Sequence, residues 1–278
     1  MIVVTGATGN VGRPLVRALA AAGQRVTAVS RSAAGEVPDG VRHRRADLAD
    51  APSLRPLLDG ADALYLLVSG AGAHVDAGAV LDAAKTGGVR RVVLQSSQAV
   101  GTRPGAPSHE PLRVIEEAVR GSGLDWTVLR PGGFASNTFA WAASVRADRT
   151  VVAPFGDVAL PVVDPLDIAE VAAAALVADG HAGRVYELTG PAPISPRLRV
   201  EAIAGAIGEP VRFVEQSVAQ ARAAMLAFMP EPVVEGTLAI LSAPTPAERR
   251  PSGDVELVLG RPARTFADWL DRHGAAFR

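Results

Sequence analysis

A doubly wound parallel sheet covered by helices, followed by a small C-terminal α+β lobe, is the α/β architecture this sequence predicts, on three observations. The chain opens on a short apolar strand that runs into glycines spaced G-x-x-G-x-x-G at Gly6, Gly9 and Gly12. Strand and helix patterns then alternate through the first half, the signature of a parallel sheet with helices on both faces. From Gly190 onward prolines cut the chain into shorter segments, which marks a change of organisation.

The opening stretch is a phosphate cradle in the making. Ile2 to Val4 supply a buried strand, and Gly6 and Gly9 remove Cβ atoms where the chain bends and a ligand approaches. Gly12 lets the following helix, Arg13 to Ala22, pack closely on the sheet. The unpaired amides at that helix's N-terminus, with the positive end of its dipole, point at whatever lies over the turn, and a pyrophosphate meets that description.

Bulk properties narrow the partners. The 278 residues suffice for one large domain with an appended lobe, or two domains at most. Lys plus Arg is 28 against 29 for Asp plus Glu, a formal charge of −1, so no global field points to nucleic acid or a membrane, and the expected partner is a small molecule. With no cysteine, disulfides and thiolate chemistry are excluded. A strand beginning at residue 2 leaves no room for an export signal, and the alanine-rich runs are too short to span a bilayer, so the expected location is the cytoplasm.

The elements follow in order. A second strand runs from Arg25 to Ser30, then a polar loop leads to a short strand at Val41 to Arg45, which closes in Asp47-Leu48. A helix from Ser53 to Leu58 ends at Gly60. Ala63 to Val68 is a continuous apolar strand, Val75 to Lys85 a helix stopped by Gly87-Gly88, and Arg91 to Leu94 a strand closing in Gln95-Ser96-Ser97. A Pro/Gly-rich loop, 101–107, precedes a helix with Ser108 as its expected N-cap and Glu110 in its first turn. Strand Trp126 to Leu129 breaks at Arg130-Pro131-Gly132-Gly133, and Phe134 to Val145 has helical spacing. Val158 to Val163 alternates like a strand, Leu166 to Val177 is a helix and Arg184 to Leu188 a strand. Beyond these come a helix at 197–207, a strand at 211–215 and helices at 218–228 and 266–272. The expected division is a nucleotide-binding domain over 1–153, its sheet completed by 158–190, and a lobe over 191–278 that lids the carboxyl ends of the strands, where ligands bind in open α/β sheets.

Several positions carry chemistry. A site for NAD ends its second strand in an acidic residue that takes the ribose 2′-hydroxyl. Here the strand ends Val29-Ser30-Arg31-Ser32, and an Arg beside hydroxyls suits a 2′-phosphate, which favours NADP(H) over NAD(H). Asp47 and Leu48 are placed for adenine, and Leu67 and Val68 for the cofactor path. Phe134, Phe139 and Trp141 are a local concentration in a chain only 4% aromatic. Phe134, Asn137 and Trp141, joined by Met225 and Phe228 from the lobe, are the candidate substrate contacts. Ser96 and Ser97 are equivalent candidates for a strand-end hydroxyl that polarises a carbonyl. No metal-ligand spacing appears.

Taken together, Thr5-Gly6-Ala7-Thr8-Gly9-Asn10-Val11-Gly12, Val29-Ser30-Arg31, Ala46-Asp47-Leu48, Leu94-Gln95-Ser96-Ser97, Ser122-Gly123-Leu124 with Leu129-Arg130-Pro131-Gly132, and Glu187-Leu188-Thr189-Gly190-Pro191 resemble the NmrA-like branch of the atypical short-chain dehydrogenase/reductases over nearly the whole chain. The resemblance implies a Rossmann domain that binds NAD(P) and a small substrate lobe. It also implies a group that mixes NADPH-dependent reductases, quinone reductases among them, with proteins that only sense the cofactor. The candidate cofactor contacts are Gly6, Thr8, Gly9, Asn10 and Val11 in the turn, Arg31, Ser32, Asp47, Leu48, Leu67 and Val68 at strand ends, and Pro131.

One departure from that pattern bears on activity. Short-chain dehydrogenases use a Tyr-x-x-x-Lys pair as acid/base and ribose holder. This chain has only Tyr65 and Tyr186, neither followed four residues later by Lys, and Lys85 is its one lysine. In the corresponding place stands His109-Glu110-Pro111-Leu112-Arg113, an H-x-x-x-R with both side chains on one helical face. Arg113 is a candidate for the ribose hydroxyls, and His109 for proton exchange or hydrogen-bond donation beside the nicotinamide. The first reading is an NADPH-dependent reductase of a small carbonyl, quinone or enone. The alternatives are a non-catalytic NADP-binding redox sensor that reports to a protein partner, and an isomerase or cyclase on the same scaffold.

Overall fold

The structure is a computed structural model that describes residues 1–31, 37–68 and 72–278. Seven parallel strands form the main sheet: β1 (Ile2–Thr5), β2 (Val26–Ser30), β3 (Arg42–Arg45), β4 (Ala63–Leu67), β5 (Arg91–Gln95), β6 (Asp125–Pro131) and, beyond the short strand β7 (Thr150–Ala153), β8 (Arg184–Leu188). Their order is β3-β2-β1-β4-β5-β6-β8. The strand order reverses between β1 and β4, where Ile2 faces Ala63 and Val4 faces Tyr65 in register. At that switch point a Rossmann sheet opens the crevice that takes its ligand.

Each face of the sheet is closed by its own apolar layer. Helix α1 (Gly12–Ala21) buries Leu15, Val16 and Leu19 against one face. On the other, α2 (Ala51–Leu58), α3 (Ala77–Thr86) and, beyond the short α4 (Gln98–Thr102), α5 (Glu110–Gly121) cover Val3, Leu64, Leu66 and Val92. After α6 (Ala142–Asp148), the long α7 (Pro165–Val177) joins α1. Its Ala169, Ala172 and Ala175 are fully buried, small enough to let the two helices approach closely.

The lobe is assembled from two stretches of chain. Ala135, Ala142, Val145, Val151 and Ala153 pack with Val200 and Ile203 of α8 (Pro196–Ile207) and with Phe266, Trp269 and Phe277 near the C-terminus. The division expected at residue 190 is therefore not where the packing divides. The reason is β7, unforeseen in the sequence, which pairs in parallel with β9 (Arg212–Glu215) in a separate two-stranded sheet. Helices α9 (Val218–Leu226) and α10 (Glu231–Ser242) rest on a small cluster of Ala221, Val234 and Leu238. Helices α11 (Pro246–Arg249), α12 (Asp254–Leu259) and α13 (Phe266–His273) complete the chain. The last segment is strapped to α7 by ions: Asp167, fully buried, accepts from Arg261 at 2.7 Å and from the Arg264 amide at 2.7 Å.

Four local expectations are corrected. Residues 134–145 do not form one helix; a 3-10 segment, Ala135–Trp141, precedes α6, as the weak helix formers Ser136, Asn137 and Thr138 favour. Residues 158–163 make only isolated bridges, at Leu160 and Val163, because Pro161 has no amide to give a ladder. Residues 107–109 form a 3-10 turn, which puts His109, not Ser108, at the N-cap position of α5. Finally, 229–265 carries no predicted element yet contains α10 to α12, because Pro232 falls in the first turn of α10, where its missing N–H costs nothing. No helix among the described residues is long and apolar enough to cross a membrane.

The tightest backbone approach in the fold lies under the first helix. A Cβ at Gly12 would overlap the Gly6 carbonyl oxygen and lie 2.7 Å from Ala7 Cα, both of them backbone atoms that cannot rotate away. Gly12→Ala is therefore expected to lower unfolding stability by about 1–3 kcal/mol. In urea denaturation this reads as a lower midpoint with an unchanged m value.

Candidate active site

The glycine turn is shaped by contact with β4. Gly6 holds φ at +63°, and a Cβ there would come within 2.8 Å of Leu67 Cδ2. Thr5 Oγ1 locks the two strand ends together by accepting from the Leu67 amide at 2.8 Å and donating to the Tyr65 carbonyl at 3.0 Å. Helix α1 starts without a side-chain cap and without an acidic residue in its first turn, so no side chain competes with an anion there, although the Arg13 amide already donates to the Gly9 carbonyl at 3.1 Å and Pro14 has none.

Over this turn lies a cleft of about 230 Å³. Gly6, Thr8, Gly9 and Leu67 line it on one side, Arg31, Asp47 and Leu48 on the other. Asp47 also caps the turn ahead of α2 by accepting from the Ala49 amide at 3.0 Å. A second cleft of about 340 Å³ continues outward from Arg31 to Arg45, a cation that sequence reasoning overlooked. The other cofactor candidates stand elsewhere. Asn10 Nδ2 donates to Ser136 Oγ at 3.2 Å and so ties the turn to the lobe. Val11 and Val68 are buried in the apolar layers. Ser32 lies outside the described residues.

A larger cavity of about 500 Å³ opens where the body of the sheet meets the lobe. His109, Asn137, Ser97, Pro131 and Phe228 line it, which gathers five of the residues singled out in the sequence. Its remaining walls were not anticipated: Gln98 at the start of α4, Thr237 and Leu241 of α10, and Glu248 of α11. Gln98 directly follows the two serines and was within reach of the same strand-end argument. Thr245-Pro-Ala-Glu248 forms a capping box, an element the sequence reading did not place, and nothing in it announces a cavity wall.

The electrostatics of the cavity turn on one ion pair. Glu248 is only 3% exposed and takes a two-pronged contact from Arg103, Nε at 2.7 Å and Nη2 at 2.8 Å, with a third bond from Thr102 Oγ1 at 2.9 Å. Burial pushes the Glu248 carboxyl up, but the Arg103, Thr245 and Thr102 hydrogen bonds outweigh it and hold the group below the usual carboxylate range. Arg103 also donates to the Ala243 carbonyl at 2.8 Å, so the end of α4 grips both α10 and α11. Beside this pair His109 is half-buried, and its cation is disfavoured first by burial and then by Arg103, against a smaller pull from Glu248. Its Nδ1 lies 2.9 Å from Ser108 Oγ.

Other candidates do not reach the cavity. Arg113 is engaged by Glu110, Nε to Oε2 at 2.8 Å, and by Glu117 on the surface of α5, so the H-x-x-x-R pair is not brought together at one site. Of the two serines only Ser97 lines the cavity, and its Oγ caps α4 by accepting from the Ala99 amide at 3.3 Å; Ser96 Oγ is buried beneath, without a partner among the described residues. Phe134 packs against the α1 layer, Trp141 lies under the Arg199 guanidinium at 5.0 Å, and Met225 belongs to the small α9–α10 cluster. The aromatic concentration thus builds the lobe, with Phe139 edge-on to Trp269 at 4.9 Å. Tyr65 is sealed in the core, donating to Gln95 Oε1 at 2.5 Å, and burial pushes its phenol up, out of acid/base range.

Comparison with known proteins follows the same lines. The model of a family described as NAD(P)H-binding matches residues 6–179. The chain is 39% identical over 287 residues to the (4-alkanoyl-5-oxo-2,5-dihydrofuran-3-yl)methyl phosphate reductase of Streptomyces griseus, covering 100% of this chain and 99% of that protein. It is 33% identical over 285 residues to the NAD(P)H azoreductase of Xenophilus azovorans, again over 100% and 99%. In fold it is similar to an NADPH-dependent quinone oxidoreductase of Escherichia coli solved in complex with NADPH, with a TM-score of 0.81 at 23% identity over 98% of this chain and 99% of that one.

Removing one partner of the cavity's ion pair leaves the other charge half-buried and unmatched. Glu248→Ala is expected to cost about 3 kcal/mol of stability in chemical denaturation at neutral pH. The carboxyl's folded value lies below its ordinary 4.5. Its contribution is therefore complete above that pH and is lost as pH falls toward the folded value, so the stability gap between wild type and variant narrows in acid.

Proposed function

This chain belongs to the NAD(P)H-binding family, as its NmrA-like resemblance implies, and we propose that it is an NADPH-dependent reductase of a small conjugated carbonyl compound, an enone, unsaturated lactone or quinone. The observation that carries this reading is the pairing of two spaces: a glycine cradle at the switch point of the sheet, and beside it a largely apolar cavity into which one half-buried histidine is set. The reductase of Streptomyces griseus, with its unsaturated lactone substrate, and the azoreductase support the class of reaction.

The residues fit the cofactor. Gly6 and Gly12 stand where a Cβ would collide with Leu67 or with the turn itself, and α1 starts without a side-chain cap. Arg31 and Arg45 face one cleft at the ends of β2 and β3, shared with the carboxylates Asp47 and Asp50, and the paired guanidiniums suit a 2′-phosphate better than a hydroxyl. NADPH, when bound, supplies the hydride. The chain's own residues hold the substrate and stabilise the oxygen that gains charge. Leu241 and the exposed Phe228 offer the cavity apolar contacts, and Asn137 offers a polar one. His109, kept neutral by burial and by Arg103, donates a hydrogen bond to the substrate oxygen rather than serving as a cationic acid.

Four outcomes test the reading. NADPH absorbance should fall on addition of a panel of quinones, enones and unsaturated lactones; tight NADPH binding with no turnover across the panel would favour the sensor instead. His109→Ala should lower kcat by about 100-fold or more. Because the ring's folded value lies below 6.5, kcat/KM should stay level from there toward pH 8, whereas a cationic acid would lose about tenfold per unit over the same window. Arg31→Ala and Arg45→Ala should each weaken NADPH about tenfold in equilibrium titration. NADH affinity should hardly change.

A further inference from the structure

Helix α10 meets the 107–109 turn at an unusually close point. A Cβ built on Gly236 would lie 2.6 Å from Ser108 Cβ and overlap Ser108 Oγ, so α10 can occupy this place only with glycine there. Ser108 is itself buried, and its hydroxyl sits 2.9 Å from His109 Nδ1. Two arrangements are available for that contact. If Nδ1 carried the proton and donated to Ser108, the serine hydroxyl hydrogen would need an acceptor of its own, and His109 Nδ1 is its one recorded partner among the described residues. If the serine donates, the hydroxyl is satisfied, Nδ1 is an acceptor, and the imidazole proton must be on Nε2. A buried hydroxyl without an acceptor is costly, which decides for the second arrangement.

We infer that Ser108, pressed into place by Gly236 of α10, is a positioning residue that sets His109 in its Nε2–H tautomer and so keeps a neutral hydrogen-bond donor facing the cavity. The inference rests on the donor role proposed above for His109, and gives it a cause in the packing of the lobe. The charged groups that bear on the ring are Arg103 of the α4 end and Glu248 of α11; burial first, and these two after it, bear on whether the ring is charged. Ser108 governs where the single proton of the neutral ring resides. Seating α10 against the turn therefore does two things at once: it closes the apolar wall of the cavity and it prepares the donor.

The test reads the tautomer directly, without a substrate. With the histidine ring nitrogens labelled with 15N, long-range proton–nitrogen correlation above the ordinary histidine pH range should show wild-type His109 with an acceptor-type Nδ1 and a protonated Nε2. Its signals are identified among the five histidines by their loss in His109→Gln. Ser108→Ala should convert this to a mixture of both tautomers, and Gly236→Ala should do the same with the hydroxyl still in the chain. With a quinone as probe, Ser108→Ala should lower kcat about tenfold at unchanged KM, one hydrogen bond's worth. A His109 that keeps the same single tautomer in Ser108→Ala, or a wild type already mixed, would overturn the inference. Neither result would touch the reductase reading, which fails only if NADPH is not consumed.

Discussion

The grip of Arg103 on Glu248 is the contact on which the large cavity depends. One wall of that cavity belongs to the sheet body, at α4 and the turn before α5, and the other to α10 and α11. The apolar cluster beneath α9 and α10 is small, three buried residues with a few partners, and cannot by itself hold the helix pair in one position. A guanidinium reaching the Glu248 carboxylate by two prongs and the Ala243 carbonyl by another bond supplies what the cluster lacks. Its geometry is bidentate and its carboxylate almost fully buried, the circumstances in which an ion pair holds position as well as charge. The same guanidinium disfavours a cation on His109, so one residue bears on both the shape and the electrostatics of the space.

Upstream of that contact, the fold provides a fixed reference. The reversal of strand order between β1 and β4 opens a crevice, and Thr5 pins its two sides at the Leu67 amide. Asn10 carries the reference across to the lobe through Ser136, so the turn that cradles the cofactor and the segment that bears Asn137 cannot move independently. The cradle over Gly6 to Gly9 and the proposed substrate contact Asn137 are thereby linked through one short bond.

Much of the sheet was legible because its signals are local. Apolar runs bounded by glycine mark β1, β4 and β5, and the spacing of Gly6, Gly9 and Gly12 marks the cradle, since each needs only its own neighbours to be understood. The lobe was less legible because its elements depend on distant partners. The β-branched run Thr150–Ala153 suits a strand, but four residues do not reveal a partner until Arg212–Glu215 lies beside them, and α10 reads as a broken stretch until Pro232 is seen in a first turn and Gly236 against Ser108. The same limit explains the site. His109 is visible as a residue type with useful chemistry. That its helical neighbour Arg113 faces Glu110 and Glu117, and that Glu248, 139 residues further on, faces the cavity instead, is decided by tertiary packing.

The absence of a Tyr-x-x-x-Lys pair bears on which oxygen this site can serve. Reduction of an isolated ketone leaves an alkoxide, whose conjugate acid is about as weak as water, and such an oxygen must receive a proton as it forms. Reduction of a quinone or a conjugated enone leaves the charge on a phenolate or enolate, and a phenol's pKa is only about 10. That oxyanion needs stabilisation rather than immediate protonation, which a neutral hydrogen-bond donor can supply. Tyr65 is locked to Gln95 in the core, and Lys85 pairs with Asp82 at 2.9 Å on the surface, so neither stands in for the missing pair. A half-buried imidazole whose cation is disfavoured on two counts is a poor acid and a good hydrogen-bond donor. The protein's departure from the acid/base pattern and the conjugated substrate class proposed for it are thus one argument, because a delocalised oxyanion asks of its donor only the role proposed for His109.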